Sequence, residues 1–275
     1  MHYQPVPDYH MHTPRCHHAK GDVHEYADAA ITAGLTEIGM SDHSPMPAAF
    51  DDDWRMDMQE LNDYQREVES VRDDVSGILT VRVGLEADFR PGSETDVAAI
   101  IASYNWDYVI GSVHYIEGWD FDNPDKIKHW DGCNIEDAWC AYFDLVAQSA
   151  ATNMFDIIGH PDLIKKFGHR PPEGNKRVAS AMESMLQAVE KSDCALEISS
   201  AGLRKPVKEI YPHPRMIRRA AELGIPFAFG SDAHSPETVG HAMDDCLALL
   251  ESCGIHEVCA FEQRSRRMVK IQKAS

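Results

Sequence analysis

The chain has 275 residues with 26 Lys plus Arg against 45 Asp plus Glu, a formal charge of −19. That length allows a sizeable core, and the acidic balance argues against a nucleic-acid backbone or an anionic membrane as partner, since both need clustered cations. No apolar run approaches the length of a spanning helix and no leader pattern opens the sequence. Seven cysteines without a Cys-x-x-Cys pair fit reduced thiols in a cytoplasmic enzyme better than a disulfide framework.

In chain order, short apolar runs bounded by Gly, Asp, Asn or Pro predict strands over Val6–His10, Glu37–Ser41, Leu79–Ala87, Tyr108–Val113, Phe155–Gly159, Ala195–Ser199 and Phe227–Ser231. Amphipathic stretches between and after them predict helices over Asp22–Ala33, Met56–Val75, Thr95–Ser103, Ile135–Ala151, Lys176–Lys191, Pro214–Leu223 and Pro236–Ser252. Successive β-then-α units without a linker imply one α/β domain over residues 1–275, built on a parallel sheet. Two connections break the rhythm: the acidic run Phe50–Asp53 and the long Tyr115–Cys133 segment, rich in Trp and Asp, whose length suggests a lid or binding loop.

All but one of these strands end in side chains that can ligate a metal. His10 and His12 share one face of an extended chain, roughly 6.6 Å apart, and His18 follows at the end of Arg15-Cys16-His17-His18. The next strand ends lead to Asp42 and His43, to Glu86 and Asp88, to His114, to His160, and to Asp232 with His234. Active sites of βα barrels form where the C-terminal strand ends meet. A single His-x-His is a weak signal, but core packing gives no reason for polar groups to recur at the same phase of six units, where burying them unpaired is costly. The remaining histidines, in loops or on helices, read as ordinary surface residues, with His17 ambiguous beside His18.

These motifs, AspTyrHisMetHisThrPro, CysHisHisAla, SerAspHisSerPro, GlyLeuGluAlaAspPhe, GlySerValHisTyr, GlyHisProAspLeuIleLysLysPhe, SerAlaGlyLeuArgLysPro and GlySerAspAlaHis, run through most of the chain. Together they resemble the polymerase and histidinol phosphatase (PHP) superfamily, and within it the stand-alone L-histidinol-phosphate phosphatases. The resemblance implies a distorted, TIM-like (β/α)7 barrel with a centre of three divalent metal ions. It implies that His10, His12 and Asp232 hold one ion, that Glu86 bridges it to a second held by His114 and His160, and that His18, His43 and His234 hold the third. Position 17 is His where relatives often carry Gly, and Ser199 replaces a common Asn.

Nine side chains with Glu86 bridging supply ten donor positions where three four-coordinate ions take twelve, so the site is open to water. Imidazoles and carboxylates without thiolate suit Zn, Fe or Mn. The expected reaction is hydrolysis of a small phosphomonoester, L-histidinol phosphate foremost, by a hydroxide bridging two ions. Glu86, Asp232 and His234 are the expected catalytic groups. Arg204, Lys205, Lys166 and Tyr115 are the candidate substrate contacts, and the Tyr115–Cys133 segment, through Trp119, Trp130 and its acids, is expected to cover the amine and ring. A nuclease, a non-catalytic metal module and a phosphatase for another monoester or nucleotide are the competing readings.

Overall fold

The structure is a computed structural model that describes residues 2–46 and 54–274; the acidic run Phe50–Asp53 lies outside the described residues. Six parallel strands form the main sheet: β1 (Glu37–Met40), β2 (Thr80–Asp88), β3 (Tyr108–Ser112), then, past the two-residue strands β4 (Tyr115–Ile116) and β5 (Trp119–Asp120), β6 (Ile157–Ile158), β7 (Ala195–Ser199) and β8 (Phe227–Gly230). Their spatial order is β1-β2-β3-β6-β7-β8. The expected first strand is present only as two parallel bridges, Asp8 to Ile38 and Met11 to Ala233. Those bridges nevertheless close the barrel. Gly39 N donates to Asp8 O and Ser41 N to Met11 O on the β1 side, while Tyr9 N donates to Phe229 O and Ala233 N to His10 O on the β8 side.

Helices α1 (Val23–Thr32), α2 (Leu61–Asp74), α3 (Glu94–Ala102), α4 (Ile135–Ala151), α5 (Lys176–Ser192), α6 (Pro214–Glu222) and α7 (Met243–Ser252) fill the intervals. Local chemistry sets their starts: Asp22 and Glu25 form a reciprocal capping box on α1, Asn134 and Asn175 cap α4 and α5, and Pro214 opens α6. Two expected helices begin later than their patterns suggest. Turns precede Leu61, and the Pro236–Ser252 stretch breaks into a 3₁₀ turn and α7, because Gly240 and Ala242 adopt positive φ of 64° and 50°. No helix among the described residues is long and apolar enough to cross a membrane.

A C-terminal hairpin absent from the sequence reading, β9 (Glu257–Glu262) with β10 (Ser265–Lys270), plugs the end of the barrel where the strands begin. Cys259, Ala260 and Phe261 pack there against Tyr9, Tyr108, Ile157, Ala195 and Ala228. The Tyr108 ring occupies the space where a Cβ at Gly39 or Gly84 would sit, so both positions require glycine for close approach. The opposite end, where the strands finish, is left for chemistry.

Candidate metal centre and active site

Glu86, at the end of β2, is the hub. One carboxylate oxygen, Oε2, lies 2.8 Å from His43 Nδ1, 3.3 Å from His10 Nε2 and 3.6 Å from His12 Nε2. The other, Oε1, lies 3.2 Å from His160 Nε2 and 3.7 Å from His114 Nε2, and accepts from Ser112 Oγ at 2.6 Å. Asp232 Oδ1 sits 3.2 Å from His12 Nε2, 3.3 Å from His234 Nδ1 and 3.9 Å from His10 Nε2. His18 Nε2 closes the cluster, 2.9 Å from His234 Nε2. All nine side chains named as ligands from the sequence therefore converge. His17, exposed and at φ 65°, stands outside the cluster, which resolves the ambiguity in favour of His18.

A second layer of oxygens fixes the imidazoles. Glu197 Oε1 meets His10 Nδ1 at 2.6 Å, Asp88 Oδ1 meets His114 Nδ1 at 2.5 Å, and the carbonyls of Cys16 and Asp232 meet Nδ1 of His18 and His234 at 2.6 and 3.1 Å. An acceptor on Nδ1 places the ring proton there and turns a bare Nε2 lone pair inward, the arrangement a ligating histidine needs. Asp88 is itself held by Arg55 Nε at 2.6 Å, so it acts behind His114. Asp42, held by Thr13, lies 3.5 Å from His12 Nδ1 without hydrogen-bond geometry to it.

The sequence reading missed Glu197. It sits on β7, the strand without a ligand, and its second oxygen accepts from His160 N at 2.6 Å. One carboxylate thus ties His10 to His160, and Gly230 lacks a side chain where that carboxylate lies. A charged residue inside the apolar run AlaLeuGluIleSer was the available signal. Backbone strain is present here as well: His160 and Asp232 adopt positive φ of 24° and 52°, costly for residues with a Cβ. Tyr142 Oη donates to His160 O, and Arg204 donates to the carbonyls of Ser231 and Asp232, which holds both strained positions.

The centre fits bound cations. His10 Nε2, both His12 ring nitrogens, His43 Nδ1, His160 Nδ1 and Glu86 Oε2 are buried without a hydrogen-bond partner among the described residues. His18 and His234 each have Nδ1 on a carbonyl, so their facing Nε2 atoms are two acceptors in contact, an arrangement that needs a shared proton or metal. Protonation is disfavoured: burial, and then the neighbouring His12 charge, pushes His18 down to about 4 and His234 well below the usual imidazole value. Burial alone would raise Glu86, but the charges of His43 and His10 outweigh it and hold the carboxylate ionised. The triads His12–His43–His234 and His43–Glu86–His114 each bring donor atoms within 4.8 Å of one another.

The cavity above the centre is lined by Trp54, Arg55, Tyr115, Asp120, Asp122, Asn123, Lys166 and Lys205. Tyr115, Lys166 and Lys205 therefore reach it as expected, whereas Arg204 lines an adjoining cleft with Lys20 and spends one guanidinium nitrogen on backbone carbonyls. Lys166 Nζ pairs with Asp122 at 2.9 Å, and that ammonium overrides burial to hold the Asp122 carboxyl well below its usual value. Lys205, whose ammonium burial disfavours, has no hydrogen-bond or ion-pair partner among the described residues. Within the Tyr115–Cys133 segment Asp120 and Asp122 reach the cavity, whereas the indoles do not and Glu117 lines a separate cleft. Trp119 stacks on His129 and Trp130 on His169, and Trp54 and Tyr115 supply the aromatic faces instead.

The sequence model of the PHP domain matches residues 8–201, and that of a PHP-associated region matches residues 212–243. The chain belongs to the PHP domain family. Over 247 residues this PHP domain chain is 44% identical to a probable histidinol-phosphatase of Deinococcus radiodurans, covering 90% of this chain and 93% of the relative. It is 29% identical over 267 residues to a histidinol-phosphatase of Bacillus subtilis, covering 90% and 98%. The crystal structure of a putative histidinol phosphatase from Listeria monocytogenes superposes with a TM-score of 0.80 at 26% identity, covering 87% of this chain and 99% of that one. A histidinol phosphate phosphatase from Lactococcus lactis, crystallised with zinc, L-histidinol and phosphate, superposes at 0.79 with 20% identity, covering 95% and 98%. The expected barrel architecture and family both stand.

Proposed function

We propose that this PHP domain is a metal-dependent phosphomonoesterase that hydrolyses L-histidinol phosphate to L-histidinol and phosphate, working as one catalytic unit over its length. The observation that carries the reading is the convergence of seven imidazoles and two carboxylates, with His18 and His234 facing each other through Nε2 at 2.9 Å and Glu86 buried at the hub. The 44% identical relative named as a probable histidinol-phosphatase supports the substrate. A cytoplasmic setting fits the seven free thiols.

His10, His12 and Asp232 would hold one ion, Glu86 would share it with a second on His114 and His160, and His18, His43 and His234 would hold a third, each Zn, Fe or Mn. Ions bound there supply Lewis acidity and a water of lowered pKa at neutral pH. The chain's own groups do the rest. Lys205, at the cavity wall and unpaired among the described residues, neutralises phosphoryl oxygens. Asp232, an ionised acceptor between His12 and His234, is placed to orient and accept a proton from the attacking water. Asp120, whose Oδ1 is buried without a donor among the described residues, and Asp122 offer the substrate ammonium its counter-charge, and Trp54 and Tyr115 offer its ring a flat apolar contact. That acidic wall disfavours polyanionic nucleotides. Phosphate release from a panel of histidinol phosphate, a nucleoside monophosphate and a simple alkyl phosphate, with metal analysis of the same preparation, tests the reading. A kcat/KM for histidinol phosphate no greater than for the others overturns the substrate and leaves the hydrolase.

A further inference from the structure

Two consecutive residues that are not ligands, Trp54 and Arg55, both line the cavity and both touch the metal centre's supports. Trp54 is half-buried, and its ring lies against that of His18 with centroids 4.6 Å apart and planes tilted by 38°. Arg55 is 7% exposed. Its Nε donates to Asp88 Oδ2 at 2.6 Å, and Asp88 Oδ1 meets His114 Nδ1 at 2.5 Å. A further bond joins the two residues: Arg55 Nη1 donates to the carbonyl of Trp54 at 2.8 Å, so the guanidinium also fixes the backbone that presents the indole.

These contacts fall on different parts of the proposed centre, since His114 belongs to the second ion and His18 to the third. Neither histidine lies in a helix or strand, and both rings line the cavity, whereas His10 and His12 are sealed at 0% exposure. A ligand on irregular backbone at a cavity wall swings off its ion unless its ring is pinned. Trp54 covers a face of His18, and Arg55 holds Asp88 against His114. Asp88 offsets the guanidinium charge, so the arrangement adds little repulsion to a bound cation. We propose that Trp54 and Arg55 form a retention clasp that slows the loss of two ions, Trp54 acting on the ion of His18 and Arg55 on the ion of His114. Both are positioning residues, and the inference rests on the metal-centre reading above.

Release kinetics test it. The full chain, reconstituted with zinc and analysed for metal content, is mixed with an excess of a chromogenic zinc chelator and followed in time. Arg55→Lys keeps the charge but loses the fork between Asp88 and the Trp54 carbonyl, and should release one equivalent about tenfold faster. Trp54→Ala should speed one equivalent about threefold, Trp54→Phe should restore the slow rate, and the double variant should speed two equivalents. The Trp54 pair decides the matter on its own where Arg55→Lys fails to fold. Unchanged release, equal acceleration of every ion, or a Trp54→Phe chain as fast as Trp54→Ala would overturn the clasp while leaving the metal centre standing. A wild-type chain that retains no zinc would overturn the metal-centre reading and the clasp with it.

Discussion

The two ends of the barrel are built from the same strands and treat buried polar groups in opposite ways. Where the strands begin, most are paired within the chain, Trp106 Nε1 being an exception. Tyr9 Oη donates to Glu37 Oε1 at 2.5 Å and accepts from Phe261 N at 3.0 Å, Tyr108 Oη donates to Tyr9 O at 2.7 Å, and Asp107 accepts from Val83 N and Gln263 N at 2.9 and 3.1 Å. Where the strands finish, imidazole nitrogens and a carboxylate oxygen are equally buried and left unpaired among the described residues. Because an unmet buried polar atom costs about 1–3 kcal/mol, an end that collects several is stable only with something bound. Satisfied polarity marks the structural end and unsatisfied polarity the chemical one.

The sharpest way to break this contrast is at its hub. Glu86→Gln keeps the shape and removes the charge; kcat/KM for phosphate release should fall at least about 10³-fold, and mass-spectrometric metal content should fall with it. Retained activity would show that the hub is not where the contrast comes from. A smaller effect is expected one layer out. Glu197→Gln should weaken metal binding about 10–100-fold in a chelator competition, with activity recovered at excess metal, because it orients His10 and His160 without ligating. Full-strength metal retention would reduce Glu197 to packing.

At the other end the signature should invert. Asp107→Ala strips two backbone N–H groups of their acceptor and should cost about 1–3 kcal/mol in denaturant unfolding, with metal content and kcat unchanged; a loss of metal would mean that the ends are coupled. The gentlest effect is a slope. Burial raises Asp8 to about 6, against the pull of the Ser231 and Gly240 amides. A folded pKa above the unfolded value of 3.8 means that this stabilisation is complete below pH 3.8 and is lost as pH rises through about 6. The Tm of the wild-type chain relative to Asp8→Asn should therefore decline over that interval and then level, since the histidines titrate alike in both proteins. A flat difference would contradict the burial argument.

What the sequence disclosed follows the same division. Ligands stand at strand ends in fixed phase, so His10 through His234 were readable as a set, and the strands that carry them are continuous apolar runs. The supporting groups were harder to read. Glu197 and Arg55 act through other side chains, and only the fold brings Glu197 beside His10, 187 residues away. The β9–β10 hairpin went unseen because its turn is Gln263-Arg264, both at positive φ, with none of the Asn or Gly that usually announces such a turn. Trp119 and Trp130 were expected in the site because composition cannot say which way an indole turns; Tyr115–Ile116 and Trp119–Asp120 form a small antiparallel ribbon that delivers Asp120 to the cavity and leaves the indoles stacked on histidines.

The seam that closes the barrel also sets a timetable. His10 and His12 lie between β1 and β8, and Asp232 and His234 follow β8 directly, so the proposed ligands of one ion come from near opposite ends of the chain. During synthesis the first pair emerges more than two hundred residues before the second. A nascent chain therefore presents histidines that have no Asp232 to complete their site, and a cation caught early would be held by a different, incomplete set. Complete loading therefore requires β8 to have docked against the first segment, which ties ion capture to contacts that span more than two hundred residues.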